Sequence, residues 1–289
     1  MSQNVLDWSV AIVGPGRAAT AFARSWNAAG GRLEHILGRD LASAARAAEL
    51  LLDGRPRTAE MGPFRCDLLI LGLPDDAIGA VAARISPHVS CRFAFHLSGA
   101  LAAEEIAVLR RGGAAVGSLH PLRAFSGDMS ETWRGAFIAI EGDEPAARAA
   151  DQIVRAVGAR GRRLAAESKA LYHAVATLAA GGALALVSLG ARVWSSIGIP
   201  EEEAQAALAD LAARAAAAAA HRSFEDAFTG PLARRDVGTV RAHRAALAAS
   251  PETLRLYTML ARETLARTPG RGKEEEILAV LESSDSDSP

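Results

Sequence analysis

The chain of 289 residues is 50% hydrophobic and 22% charged, with a formal net charge of -1; this is the profile of a soluble globular protein long enough for two domains. With Arg and Lys scattered and no basic stripe among the aromatics, that balance argues against a nucleic-acid partner and against an acidic membrane surface. Cys66 and Cys91 are the only cysteines and form no C-x-x-C, which argues against a disulfide framework or zinc cluster and makes a reducing cytoplasm the expected compartment.

Residues 1–7 are polar and lack the basic and apolar regions of a signal peptide. The apolar run 10–13 then ends in Gly14-Pro15-Gly16, and an alanine-rich segment of helical spacing follows. Gly14, Gly16 and Ala19 match G-x-G-x-x-G/A in the order strand, turn, helix. Gly14 allows the sharp turn, Gly16 lets the backbone approach a pyrophosphate, and Ala19 lets the helix pack on its strand. The loop Gly14, Pro15, Gly16, Arg17, Ala18 is therefore the expected phosphate cradle at a helix N-terminus.

Residues 33–37 read as a second strand, and Asp40 as the cap of a helix running through Leu52. A short third strand is expected near residues 56–63. The continuous apolar run 67–72 suits a strand buried on both faces, and Leu73-Pro74-Asp75 follows it into another helix. Residues 92–97 form a further strand closed by Ser98-Gly99, with a helix after it through Arg111. Residues 114–119 form the next, closed by His120-Pro121; 137–140 a last one; and 145–157 a helix with proline in its first turn. Such alternation predicts an α/β fold, a doubly wound Rossmann-type parallel sheet. From about residue 168 alanine-rich helical sequence takes over. The expected domains are 1–164, dinucleotide-binding; 165–282, all-helical; and 283–289, a disordered tail. Residues 174–191 are uncharged and approach the length of a membrane span, but their Ala and Gly content favours a helix buried in a dimer or domain core.

Ligands of open α/β sheets collect at the carboxyl ends of the strands. Leu73, Pro74 and Ser98 are the expected cofactor contacts there, while Ser98 and His120 are placed to meet substrate. Glu34 lies at the spacing of an NAD ribose acid, but the apolar strand continues past it through Leu37; Arg39, where the second strand stops, favours NADP through its 2′-phosphate, and Asp40 beside it keeps NAD open. In the second half, Lys169, Tyr172 and His173 share a helix face. A carbonyl or imine reductase needs a hydride and a proton donor. Lys169 would polarise the substrate heteroatom, with His173 or Tyr172 giving the proton; the alternative is an ordinary amphipathic helix start. His96, inside an apolar strand, reads as a core histidine. The histidines show no H-E-x-x-H, so no metal site is expected. Arg234, beside the helix break at Gly230-Pro231, is the expected contact for a substrate carboxylate or cofactor phosphate.

Several segments together resemble one family, the Rossmann-like oxidoreductases with a DUF2520 C-terminal domain. They are Ile12-Val13-Gly14-Pro15-Gly16-Arg17, Leu73-Pro74-Asp75-Asp76-Ala77-Ile78, His96-Leu97-Ser98-Gly99-Ala100, His120-Pro121-Leu122 with Phe125, Lys169-Ala170-Leu171-Tyr172-His173-Ala174, and Thr229-Gly230-Pro231-Leu232-Ala233-Arg234 with Asp236, Val240 and His243. The family is similar to the pyrroline-5-carboxylate reductases, β-hydroxyacid dehydrogenases and ketopantoate reductases. The resemblance implies an NADP-type cofactor, a homodimer formed through the helical domain and a cleft between the halves. It matches Lys169 to a catalytic lysine and puts His173 where β-hydroxyacid dehydrogenases have asparagine. It also leads one to expect asparagine at Gly181 and glycine at Arg235.

Overall fold

Short apolar runs between alanine-rich segments fold, in the computed structural model, as one eight-stranded sheet and a set of helices; residues 4–268 and 272–282 are described. The strands are β1 (Val10–Val13), β2 (Leu33–Leu37), β3 (Arg55–Arg57), β4 (Phe64–Leu71), β5 (Val89–His96), β6 (Ala115–Leu122), β7 (Phe137–Gly142) and β8 (Arg160–Arg163). Their order is β3-β2-β1-β4-β5-β6-β7-β8. All neighbours run parallel except β6 and β7, which are antiparallel. The order reverses direction between β1 and β4, the switch point where a Rossmann sheet opens a crevice.

The helices of this half are α1 (Arg17–Ala28), α2 (Leu41–Leu51), α3 (Asp75–Ile85) and α4 (Glu144–Ala156). Because strand residues alternate between faces, Val10, Ile12, Leu68 and Ile70 pack with Phe22, Trp26 and Ile153 on one side. Ala11, Val13, Leu69 and Leu71 pack with Ile78, Ile85 and Ile106 on the other. The sheet is thus buried on both faces, as the unbroken apolar runs required.

Three local expectations are corrected. The segment after Ser98-Gly99 is a 3-10 helix, Ala103–Gly112, interrupted at Ile106 by non-helical angles. β6 does not stop at Leu119 but runs on through Pro121, which faces Ile138 of β7. β5 has already ended there, so the missing proline N–H lies on an open edge. β8 was not foreseen: Arg160-Gly161-Arg162-Arg163 is exposed throughout and is ordered by pairing with β7.

The described chain divides into two compact units, one to Ala180 and one from Gly181. Helix α5 (Lys169–Ser195) begins in the first and continues into the second, which adds α6 (Glu201–Ala219), α7 (Phe224–Ala227), α8 (Gly230–Arg234), α9 (Val237–Leu247), α10 (Pro251–Arg267) and α11 (Glu274–Glu282). Val240, Ala261, Leu265, Ile277 and Leu281 form a core of α9, α10 and α11. Arg235 terminates α8 with a left-handed φ of +57°, the conformation glycine adopts most easily at a helix end. Its side chain is buried and donates to Thr268 Oγ1 at 3.0 Å and Glu274 Oε1 at 3.0 Å. The position where the resemblance expects glycine is therefore a helix stop, and here an arginine fills it and ties three helices together.

Residues Ala166–Ser195 form the one stretch, among the described residues, long and apolar enough to cross a membrane. The expectation of a helix buried in its own domain core is not met, for only 6% of that apolar window is buried. The expected tail 283–289 and the break at Pro269-Gly270 lie outside the described residues.

Candidate active site

β1 ends on glycine because the chain turns back there. Gly14 takes φ +71°, which strains any residue with a Cβ, and its N–H donates to the Leu37 carbonyl at 2.9 Å. A Cβ on Gly14 would lie 2.3 Å from Leu73 Cδ2, and one on Gly16 would lie 2.9 Å from the Gly72 carbonyl oxygen. The first bond of the α1 ladder runs from Thr20 N–H to the Gly16 carbonyl at 2.9 Å. The N–H groups of Arg17, Ala18 and Ala19 therefore precede the ladder at the positive end of the helix dipole. A bare, tightly fitted loop leading into a helix N-terminus fits a pyrophosphate.

Around that loop, Arg17 Nη1 donates to the Phe125 carbonyl at 3.4 Å, so the β6–β7 connection lies over the start of α1. Arg39 follows β2 with its side chain 92% exposed, and its nearest acid is Asp40 at 4.0 Å. Asp40 is occupied as a cap, its Oδ1 accepting the Ser43 N–H at 2.7 Å. Glu34 lies inside β2, well before the strand's end at Leu37. Of the residues expected to meet the adenosine ribose, Arg39 alone is both at the strand end and unengaged by a cap.

The ends of β5 and β6 carry a second, denser cluster. Leu73-Pro74 joins β4 to α3, and Asp75 Oδ2 accepts the Ser98 hydroxyl at 2.8 Å. Ser98 Oγ in turn accepts the N–H groups of Ala100 and Leu101, so the turn after β5 is closed on its own serine. His96 is fully buried and doubly engaged, with Nε2 3.0 Å from the Ala102 carbonyl and Nδ1 accepting the Ser98 N–H. Desolvation holds it uncharged, down at about 4, as a core histidine.

Lys169, Tyr172 and His173 do come to this cluster, but they divide. Lys169 is 1% exposed, and its Nζ donates to the Ser98 carbonyl at 3.1 Å and to the Ser118 hydroxyl. Burial brings it down to about 8, against the pull of Glu141 and Asp75. Tyr172 OH lies 2.9 Å from His120 Nδ1, and burial raises its phenol above the ordinary value. The His120 and His173 rings stand edge-on, 5.5 Å between centroids. Gly99 is bare between them: a Cβ would lie 2.3 Å from His173 Nδ1 and 2.9 Å from His120 Nε2. His120 is lowered to about 4 by burial first, then by the neighbouring His173 and Lys169. His173 Nδ1 is buried without a hydrogen-bond partner.

Beside these rings opens a pocket of about 860 Å³, lined by His120, Tyr172 and His173 with apolar walls that include Leu122, Leu171 and Val175. That volume suits a small organic ligand. Arg234 belongs to the second unit, exposed in the last turn of α8. No group of three or more His, Cys, Asp or Glu among the described residues could hold a metal.

Sequence reasoning missed Ser118 and Glu141, which face each other across β6 and β7. Glu141 Oε2 accepts the Ala103 N–H at 2.7 Å, and Ser118 is fully buried beneath Lys169. The available signal was a serine and a glutamate in otherwise apolar strands, since buried polar groups require partners.

This architecture is that of a Rossmann-type sheet followed by helices. Residues 136–264 match the family model of DUF2520, a domain of unknown function, which establishes the resemblance read in the sequence. The match begins at the edge of β7, so the family's unit includes the last two strands. A protein of Thermotoga maritima shares the fold with a TM-score of 0.74 and 22% identity, over 90% of this chain and 98% of that one. A candidate NADP oxidoreductase of Bacteroides fragilis matches at 0.67 and 21% identity, over 91% and 100%. A pyrroline carboxylate reductase of Plasmodium falciparum with NADP bound matches at 0.56 and 13%, over 95% and 98%. Comparison with curated protein sequences gave no significant match.

Proposed function

We propose that this chain is an NADP-dependent oxidoreductase that reduces the C=O or C=N group of a small oxo or imino acid. One observation carries the reading: a glycine loop fit for a pyrophosphate at the end of β1 and a cluster of half-buried His120, Tyr172 and His173 over the buried Lys169 at the ends of β5 and β6 stand on the same edge of one sheet. The similarity to the NADP-bound reductase fold supports it. When bound, the nicotinamide supplies the hydride. Gly14 to Ala18 hold the pyrophosphate, Arg39 meets the 2′-phosphate, and Leu73, Pro74 and Ser98 border the nicotinamide side. Tyr172, His173 and His120 face the substrate heteroatom, where Tyr172 or His173 gives the proton. Arg234 keeps its expected role of binding a substrate carboxylate or a cofactor phosphate. The test is NADPH consumption across a panel of 2-oxo acids and cyclic imines; efficient turnover of one member supports the reading. Tight NADPH binding without turnover favours a second reading, a nucleotide-binding regulatory protein, which the glycine at Gly181 motivates.

A homodimer belongs to the same proposal. Leu171, Val175 and Leu178 are 71%, 57% and 72% exposed on α5 and follow one another at helical spacing. An apolar stripe of this kind marks an interaction face; a second copy covering it would keep the enzyme soluble in the cytoplasm. Purification without detergent as a dimer supports this, and a requirement for detergent would replace it with a membrane-bound protein.

A further inference from the structure

Lysine is scarce in this chain. Of 32 Lys and Arg residues only Lys169 and Lys273 are lysines. One of the two occupies the most enclosed cationic position in the candidate site. A guanidinium is a broad planar fork, whereas an ammonium is compact and rotates its donors freely, so a narrow socket between strand ends selects lysine.

We propose that Lys169 is a positioning residue, which sets the His120–Tyr172 couple and does not itself touch the substrate. This rests on reading the pocket as the place of reduction. The geometry separates Lys169 from its helix neighbours. Ser168, Leu171, Tyr172 and His173 line the pocket and Lys169 does not; its side chain is turned into the sheet, 1% exposed. Its two acceptors are placed to transmit its position. The Ser98 carbonyl precedes Gly99, whose bare Cα lies between the two imidazoles. Ser118 stands on β6 just ahead of His120, with its side chain on the same face of the strand. One ammonium therefore fixes both the floor and the strand that present His120 to Tyr172.

Its charge acts in the same direction. Asp75, at the start of α3, and Glu141, on β7, favour the ammonium. His120 faces His173 and Tyr172 from α5, Lys169, and Asp75. A second cation beside Lys169 is disfavoured, as like charges in a desolvated site are. Burial and His173 act first and Lys169 adds to them, so His120 stays a neutral partner for the Tyr172 hydroxyl, and Tyr172 is left as the O–H at the pocket.

Two measurements on the full-length protein test this, neither needing a known substrate. Reductive methylation with labelled formaldehyde has two lysine targets, and Lys273 is exposed and serves as the internal reference. In the wild type, Lys169 is expected to react at least tenfold more slowly than Lys273; equal rates would place it in the pocket and overturn the proposal. Imidazole NMR then follows His120, whose midpoint should rise above about 4 in Lys169→Met and Lys169→Gln and stay below the ordinary value of about 6.5, because burial and His173 still act on it. A His120 midpoint unmoved by loss of the charge in folded protein refutes the positioning role, and should the variants not fold, the wild-type methylation rates decide. Failure of the wild type to bind NADPH, with Lys169 still protected, would instead overturn the reductase reading on which the couple's catalytic meaning depends.

Discussion

Gly72→Ala adds a single methyl group where the loop, β4 and α1 converge. Its Cβ would lie 2.3 Å from the Ala19 methyl and 2.7 Å from the Gly14 carbonyl oxygen. Contact between carbons is comfortable at about 3.5–4.0 Å, so α1 or the loop must retreat by more than an ångström. Overpacking of this kind costs about 1–3 kcal/mol, and each kcal/mol lowers the melting temperature of a unit this size by about 2–4 °C. The retreat also spoils the cradle, because the displaced groups are the N–H donors themselves. NADPH affinity should fall by about tenfold or more, which corresponds to roughly 1.4 kcal/mol. Adding Ala19→Gly removes the nearer clash and leaves the one with Gly14, so stability should recover in part, less about 1 kcal/mol for a glycine inside a helix. Thermal melts and NADPH fluorescence titrations read the two effects separately. If Gly72→Ala melts and binds as the wild type does, the cradle is not where it is placed here.

The other expectations are more direct. Arg39→Glu should weaken NADPH binding at least tenfold and leave NADH binding nearly unchanged, since a carboxylate would repel the 2′-phosphate; parallel titrations read the ratio. If the α5 stripe is the proposed dimer face, Leu178→Glu should yield monomer in sedimentation velocity where the wild type sediments as a dimer, without lowering helix content. Arg235→Gly relieves the left-handed φ by about 1 kcal/mol but removes the buried guanidinium that holds Thr268 and the part-exposed Glu274, and hydrogen bonds to a charged group are worth about 1.5–3 kcal/mol each; denaturant titration should show net destabilisation. Asp143 is held below the ordinary carboxylate range by its hydrogen bond to Arg110. A depressed folded pKa means that this stability is present above the unfolded value of about 4 and is lost as pH falls below it. Asp143→Asn should remove that part of the acid sensitivity in melts taken across the range.

The elements that were legible in the sequence are those in which local and tertiary preferences agree. β1 and its glycine turn, β2, the Asp40 cap and the unbroken apolar β4 each announce themselves through side chains that do the same thing locally and in the fold. The segment after Ser98-Gly99 has helical spacing, yet Ile106 leaves the helical region and the turns tighten to 3-10. β8 carries no apolar pattern, because an edge strand of Arg160-Gly161-Arg162-Arg163 owes its order to β7 and its charges guard the edge. Helix periodicity rightly gathered Lys169, Tyr172 and His173 at the head of α5. It could not show that a long flexible side chain at the first position would turn into the sheet while the two rings faced the pocket. Ser118 and Glu141, which define where that side chain goes, lie in strands far away in the sequence and acquire meaning only when the sheet sets them side by side.

The proposed reduction depends on the loop Gly14 to Ala18 binding a nicotinamide dinucleotide phosphate. Fluorescence titration of the purified protein with NADPH and NADH tests it most directly. The expected result is saturable NADPH binding, tighter than NADH by tenfold or more and weakened by Gly72→Ala. No binding of either nucleotide by folded protein would contradict it.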